Sequence, residues 1–208
     1  MQVRNLIVLV FCQLITATAT ISLVTLGGLI GATLTSNKAI VTLPLSLTIV
    51  AGALATVPAT MLMRRVGRRY GFMMASSFAA AGMCVAYVAL KESSFIMFCV
   101  AVMMVGVNVA FTQQYRFAAA ESVSPEFVPR AISLVLLGPI AGAFLGKEIA
   151  TRGHGWIAGT PYAGTMAALA ALFLIQALLF LLLREPAQHA RRDVEHSDRP
   201  LLAVVRQP

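Results

Sequence analysis

Six apolar runs, each close to or above 20 residues and bounded by charge, leave this chain few folds to choose from. A helix needs about 20 apolar residues to cross the hydrocarbon of a bilayer at 1.5 Å per residue. The runs cover residues 6–34, 39–63, 72–90, 95–115, 131–149 and 162–183. Charged residues make up only 12% of the 208, about half the share in soluble proteins, and hydrophobic residues 59%. The expected fold class is an all-α membrane protein with six transmembrane helices in one bundle over residues 1–183. The first run far exceeds the 7–15 apolar residues of a signal peptide, so it is expected to stay in the protein.

Orientation follows from Lys and Arg, which short loops retain on the cytoplasmic side. Placing the N-terminus inside puts twelve of the 16 basic residues there: Arg4, four arginines between the second and third runs, Arg116, Arg130 and five beyond residue 183. The other side receives Lys38, Lys91, Lys147 and Arg152. The chain is therefore expected to be N-in/C-in and multi-pass in the cytoplasmic (inner) membrane. The net charge of +8 reads as an orientation signal reinforced by anionic lipid, at about 1 kcal/mol per basic residue near the surface, and nucleic acid is not expected as a partner. Residues 184–208 are polar and mixed in charge, then end in RPLLAVVRQP, which reads as a cytoplasmic connector.

No Asp, Glu, Lys or Arg falls in the middle of a run, so the intramembrane ionisable groups that mark proton relays and ion sites are missing from these helices. Neutral polar residues take their place. Gln13, Thr16 and Thr20 share one helix face in the first run, and Asn108, Thr112 and Tyr115 share one in the fourth. They have two readings. They line an aqueous pathway, or the hydroxyls bond back to the carbonyl one turn earlier and the amides bond to a neighbouring helix. Amides facing lipid would go unsatisfied, so Asn108, Gln113 and Gln114 must face protein or water. Gln13, Thr16, Asn108, Gln113 and Tyr115 are the pathway candidates.

Gly138, Gly142 and Gly146 recur every four residues beside Pro139, giving a stripe on which another helix can pack closely, and Gly27 with Gly31 suggests the same in the first run. Pro44 and Pro58 are expected to interrupt the second run. The sixth run, with one Gln176 among Leu, Ala and Phe, reads as a peripheral helix. Cys12, Cys84 and Cys99 sit inside runs and are expected to be buried free thiols. Met83 beside Cys84 and Cys99 with Met103 raise a soft-metal reading, against which stands methionine's use as a core filler; no metal ligand set and no cofactor is expected. The histidines, His154, His189 and His196, lie outside the runs, so a buried Ser–His pair cannot form, and no catalytic residue and no enzyme activity is expected.

The stretch at residues 60–69, TMLMRRVGRR, resembles the loop between the second and third helices of the major facilitator superfamily, G-x-L-A-D-R-x-G-R-R. Leu62, Arg65, Gly67, Arg68 and Arg69 match; Thr60 replaces the glycine and Arg64 the acidic residue. Residues 114–121, QYRFAAAE, resemble the family's charged end of the fourth helix, and residues 130–134, RAISL, its fifth-helix opening. The resemblance implies a cytoplasmic gating network of Arg65, Gly67, Arg68, Arg69, Arg116, Glu121 and Arg130, with the acidic partner of the loop altered. GPIAG at 138–142 resembles the end of the glycine–proline motif of antiporters.

It further implies the N-terminal half of a secondary transporter working by alternating access, similar to a bacterial subgroup that includes copper importers for cytochrome oxidase assembly. The metal motif of that subgroup lies in a seventh helix. The implied partners are the lipid bilayer, a small-molecule or ion substrate, and a second six-helix half, either a C-terminal half or another copy. A membrane scaffold or homodimer-forming subunit is the other reading.

The topology is open to direct test. In a cysteine-free background, a cysteine at position 68 should resist an impermeant thiol reagent in intact cells while one at position 38 reacts, and labelling at 68 would invert the assignment.

Overall fold

The computed structural model describes residues 2–157 and 159–183; the connector expected at 184–208 lies outside the described residues. Helices α1 (Gln2–Leu34), α2 (Leu43–Val66), α3 (Arg68–Lys91), α4 (Phe95–Thr112), α5 (Tyr115–Glu121), α6 (Val128–Arg152) and α7 (Ala163–Phe180) make six membrane-length spans, α4 and α5 together forming the fourth. Helix is the form forced on an apolar run in hydrocarbon, because it satisfies each backbone N–H and C=O within the segment.

The helix ends correct several expected boundaries. The second span starts at Leu43 instead of residue 39, because Asn37 accepts the Ala39 N–H on its side chain and the Ile40 N–H on its carbonyl, holding a turn there. Pro44 lies in the first turn of α2, where its missing N–H costs nothing, so it starts the helix and does not interrupt it; Pro58 and Pro139 do lie inside helices. α3 begins at Arg68, directly after Gly67. The fourth span breaks at Gln113 and Gln114 before resuming as α5.

The spans pack as an open arc in the order α6, α1, α7, α3, α4, α2, closed loosely where α1 touches α2 and α4. Within it, α1 pairs with α6 as α4 pairs with α2, so the first span of each set of three packs on the second span of the other set. The arc's two ends are its least buried members. Only 17% of the apolar stretch of α2 and 22% of that of α6 is buried, against 50% or 56% in the other four spans. The expectation of a peripheral sixth helix is thus overturned: α7 is 56% buried, and Gln176 is fully enclosed.

Both end helices are held by small residues, as helix pairs in lipid require close backbone approach in the absence of a hydrophobic drive. A Cβ added to Gly142 would lie 2.7 Å from Ala17 Cβ and 2.8 Å from the Leu14 carbonyl oxygen; one on Gly146 would lie 2.7 Å from the Thr18 oxygen. At the other end α2 buries Ala51, Ala55 and Ala59, spaced by four, and Gly52 and Gly106 bring α2 and α4 together. Gly27 and Gly31 form no such stripe. Around Gly27 there is open space, and Gly31 meets the Val41 carbonyl of the α1–α2 connection.

These glycines separate by substitution. Gly142→Leu should cost about 1–3 kcal/mol by overpacking, seen as a lower thermal midpoint and lost monodispersity in detergent. Gly27→Ala should be neutral or gain about 0.5–1 kcal/mol from reduced backbone entropy.

Candidate functional site

The buried core divides into two apolar clusters stacked along the bundle. One, towards the far end, includes Leu23, Ala79, Met83, Phe98, Val105 and Phe173. The other, towards the end carrying the basic α2–α3 turn, includes Leu9, Cys12, Phe72, Phe111, Tyr115 and Phe180. Between them each of the four inner spans places a buried polar residue: Thr16 on α1, Ser76 on α3, Asn108 on α4 and Gln176 on α7, none more than 3% exposed. Asn108 is midway along the fourth span. The polar layer therefore crosses the bundle near its midplane.

Gln176 ties this layer together. Its Nε2 donates to the Tyr115 hydroxyl at 2.8 Å, and its Oε1 accepts from Thr16 Oγ1 at 3.2 Å. Tyr115 is fully enclosed between Phe72 and Phe180, with ring centroids 4.8 and 5.6 Å away. An amide stripped of water costs about 1–3 kcal/mol unless partnered, so these two bonds let Gln176 sit in an apolar helix. The other hydroxyls mostly bond back along their own helices: Thr18 to Leu14, Thr20 to Thr16, Ser76 to Phe72 and Thr112 to Asn108. Ser22 instead bonds across, to the Gly146 carbonyl at 2.8 Å.

At the basic end the chain turns from α2 into α3 over Gly67 alone. Its φ of 85° and ψ of 160° belong to a region that is essentially glycine's. Arg68 then falls at the N-terminus of α3 and Glu121 at the C-terminus of α5, each the unfavourable end for its charge. They face each other, Arg68 Nη2 lying 2.7 Å from Glu121 Oε1, with side chains 27% and 35% exposed. A pair that open to water is worth about 0–1 kcal/mol.

Of the other residues assigned to a gating network, Arg65 is exposed in the last turn of α2. Arg69 lies 5.7 Å from the Tyr70 ring centroid, Arg116 5.1 Å from Phe117 and Arg130 5.7 Å from Phe127. Of the pathway candidates, Thr16, Asn108 and Tyr115 are in the bundle interior, Gln113 is exposed at the α4–α5 break, and Gln13 is partly buried where its side chain meets Gly138 of α6. A shallow groove between α1, α2 and α4 is lined by residues that include Thr20, Val24, Gly27, Pro44, Thr48 and Val102.

The cysteines are free; Cys12 and Cys99 are buried, but Cys84 is exposed, which corrects the expectation of three buried thiols. Met83 is buried beside exposed Cys84, and Cys99 is buried while Met103 is exposed, so neither Met–Cys pair converges on one point. Missed from the sequence were Gln176, taken as a lone residue on a peripheral helix, and the alanine stripe of α2, whose four-residue spacing was the available signal.

The family model described as Major Facilitator Superfamily matches residues 7–208. The riboflavin transporter RfnT of Brucella anthropi is 33% identical over 208 residues, an alignment that takes in 99% of this chain and 52% of that protein. The chain thus spans about half the length of the curated relative it matches. No solved structure matches it.

The Gln176 tie has a thermodynamic signature. Gln176→Leu should cost about 1–3 kcal/mol and Tyr115→Phe about 0.5–1.5, while the double variant should cost less than their sum by about 0.5–2 kcal/mol. Thermal unfolding in detergent measures all three, and simple additivity would refute the tie.

Proposed function

Since the chain belongs to the major facilitator superfamily, we propose that this multi-pass membrane protein forms one wall of a secondary transporter. The wall is the N-terminal half, and the second comes from another six-helix half. The observation that carries this reading is the open arc. α2 and α6 end it with one main packing partner each and most of their surface uncovered, as expected of helices that meet a second bundle across a pathway. Halves of this superfamily are related about an axis along the membrane normal, with three-plus-three inverted repeats inside each. The matched pairings of α1 with α6 and α4 with α2 fit that plan.

The twelve-to-four split of basic residues supports both termini on the cytoplasmic side of the inner membrane. On that side the Arg68–Glu121 pair and the Gly67 turn serve as a latch, joining the second and third spans to the fourth. Arg65, Arg69, Arg116 and Arg130 add positive charge at the same end of the bundle. On the uncovered side, the groove between α1, α2 and α4, with Thr20 and Thr48 among its lining, offers hydroxyls and apolar surface without formal charge. Such a wall suits a neutral solute, and the RfnT likeness makes a flavin the substrate class that we favour over monovalent copper, for which the Met–Cys pairs do not converge.

Reconstitution tests this. In liposomes the 208-residue chain alone should take up no riboflavin above empty vesicles, whereas its fusion to the C-terminal half of RfnT should show saturable uptake. Saturable uptake by the chain alone would make a homodimer the working form. Failure of the well-folded fusion would overturn the flavin assignment.

A further inference from the structure

Among the described residues Asn108 is the side chain least reconciled with its surroundings. It is 0% exposed, and neither Nδ2 nor Oδ1 has a hydrogen-bond partner. It occupies the core-facing stripe of α4 with Ala101, Val105 and Thr112, all buried, so it cannot turn to solvent without leaving the core. The close approach of Gly82 to Ala101, Met104 and Val105 fixes the antiparallel register of α3 on α4. That register brings Asn108 to the level of residues 75–79, where Ser76 is also fully buried.

We propose that Asn108 holds a resident water molecule in the polar layer between the two apolar clusters. A buried amide left unpaired is strongly unfavourable, and buried waters collect where such groups have hydroxyl neighbours. The neighbouring hydroxyls have their donors committed, Ser76 to the Phe72 carbonyl, Thr112 to the Asn108 carbonyl and Thr16 to Gln176, but each oxygen keeps acceptor capacity. Water accepts from Asn108 Nδ2 and still has two O–H groups to give, one to Oδ1 or to such an oxygen. An ion does not fit a layer with no formal charge in it, and a larger solute does not fit a position with no exposure.

The site is closed on both sides. Val105, Ala79 and Met83 seal it towards the far end, and Phe72, Phe111, Tyr115 and Phe180 towards the basic end. Exchange with bulk water is therefore slow.

Hydroxyl-radical footprinting of the intact chain in detergent, in water enriched in oxygen-18, tests this without reference to transport. Tyr115, although fully enclosed, should be labelled several-fold faster than the equally enclosed Phe98 and Phe173 of the dry cluster, because its hydroxyl reaches through Gln176 into the polar layer that holds the water. Asn108→Leu should bring Tyr115 down to the rate of those phenylalanines; Asn108→Val serves in its place if the leucine variant does not accumulate. Tyr115 labelling no faster than Phe98 in the native chain, or unchanged after substitution of Asn108, would overturn the proposal.

Discussion

Hydrocarbon offers no hydrogen-bond partner, and most of this molecule follows from that. Each apolar run must satisfy its own backbone, which makes each a helix whatever its side chains prefer. It also removes the usual reason for helices to associate, since lipid tails are as apolar as leucine. What holds the bundle is contact and polarity: glycine and alanine stripes that let α6 approach α1 and α2 approach α4, and a polar layer that binds across the centre.

These two devices occupy different places. The small-residue stripes fix the ends of the arc, where each outer helix has one main neighbour and depends on close approach to it. The polar layer fixes the middle, where α1, α3, α4 and α7 contribute Thr16, Ser76, Asn108 and Gln176 at one level. Because Gln176 binds both Thr16 and Tyr115, it connects the first and last spans to the far side of the α4–α5 break. The interior of the bundle is thus firmly specified, while the contact at the basic end, Arg68 with Glu121, is partly exposed to water and weak.

Much of this was legible in the chain. Six helices were, because length and hydropathy alone decide whether a segment spans. The stripe of Gly138, Gly142 and Gly146 was visible because glycine is rare inside helices without a packing reason, whereas Ala51, Ala55 and Ala59 passed unnoticed because alanine is a good helix former anywhere. The role of α7 was hidden for a different reason. A helix that is Leu, Ala and Phe nearly all round looks the same whether it faces lipid or protein; only the enclosure of Gln176 tells the two apart. Gly27 misled because spacing identifies a face without saying what lies opposite it.

By itself, then, the sequence determined the solvent, the number of spans, the glycine at the α2–α3 turn and the side on which positive charge gathers. These are properties of single segments, set by transfer free energy and backbone geometry. The tertiary structure alone decided that Arg68 meets Glu121, that Thr16, Gln176 and Tyr115 close one network, that Asn108 is enclosed, and that α2 and α6 are left uncovered. Each of these depends on which helix lies beside which, and the rotation of a helix about its own axis is fixed by its neighbours rather than by its own residues.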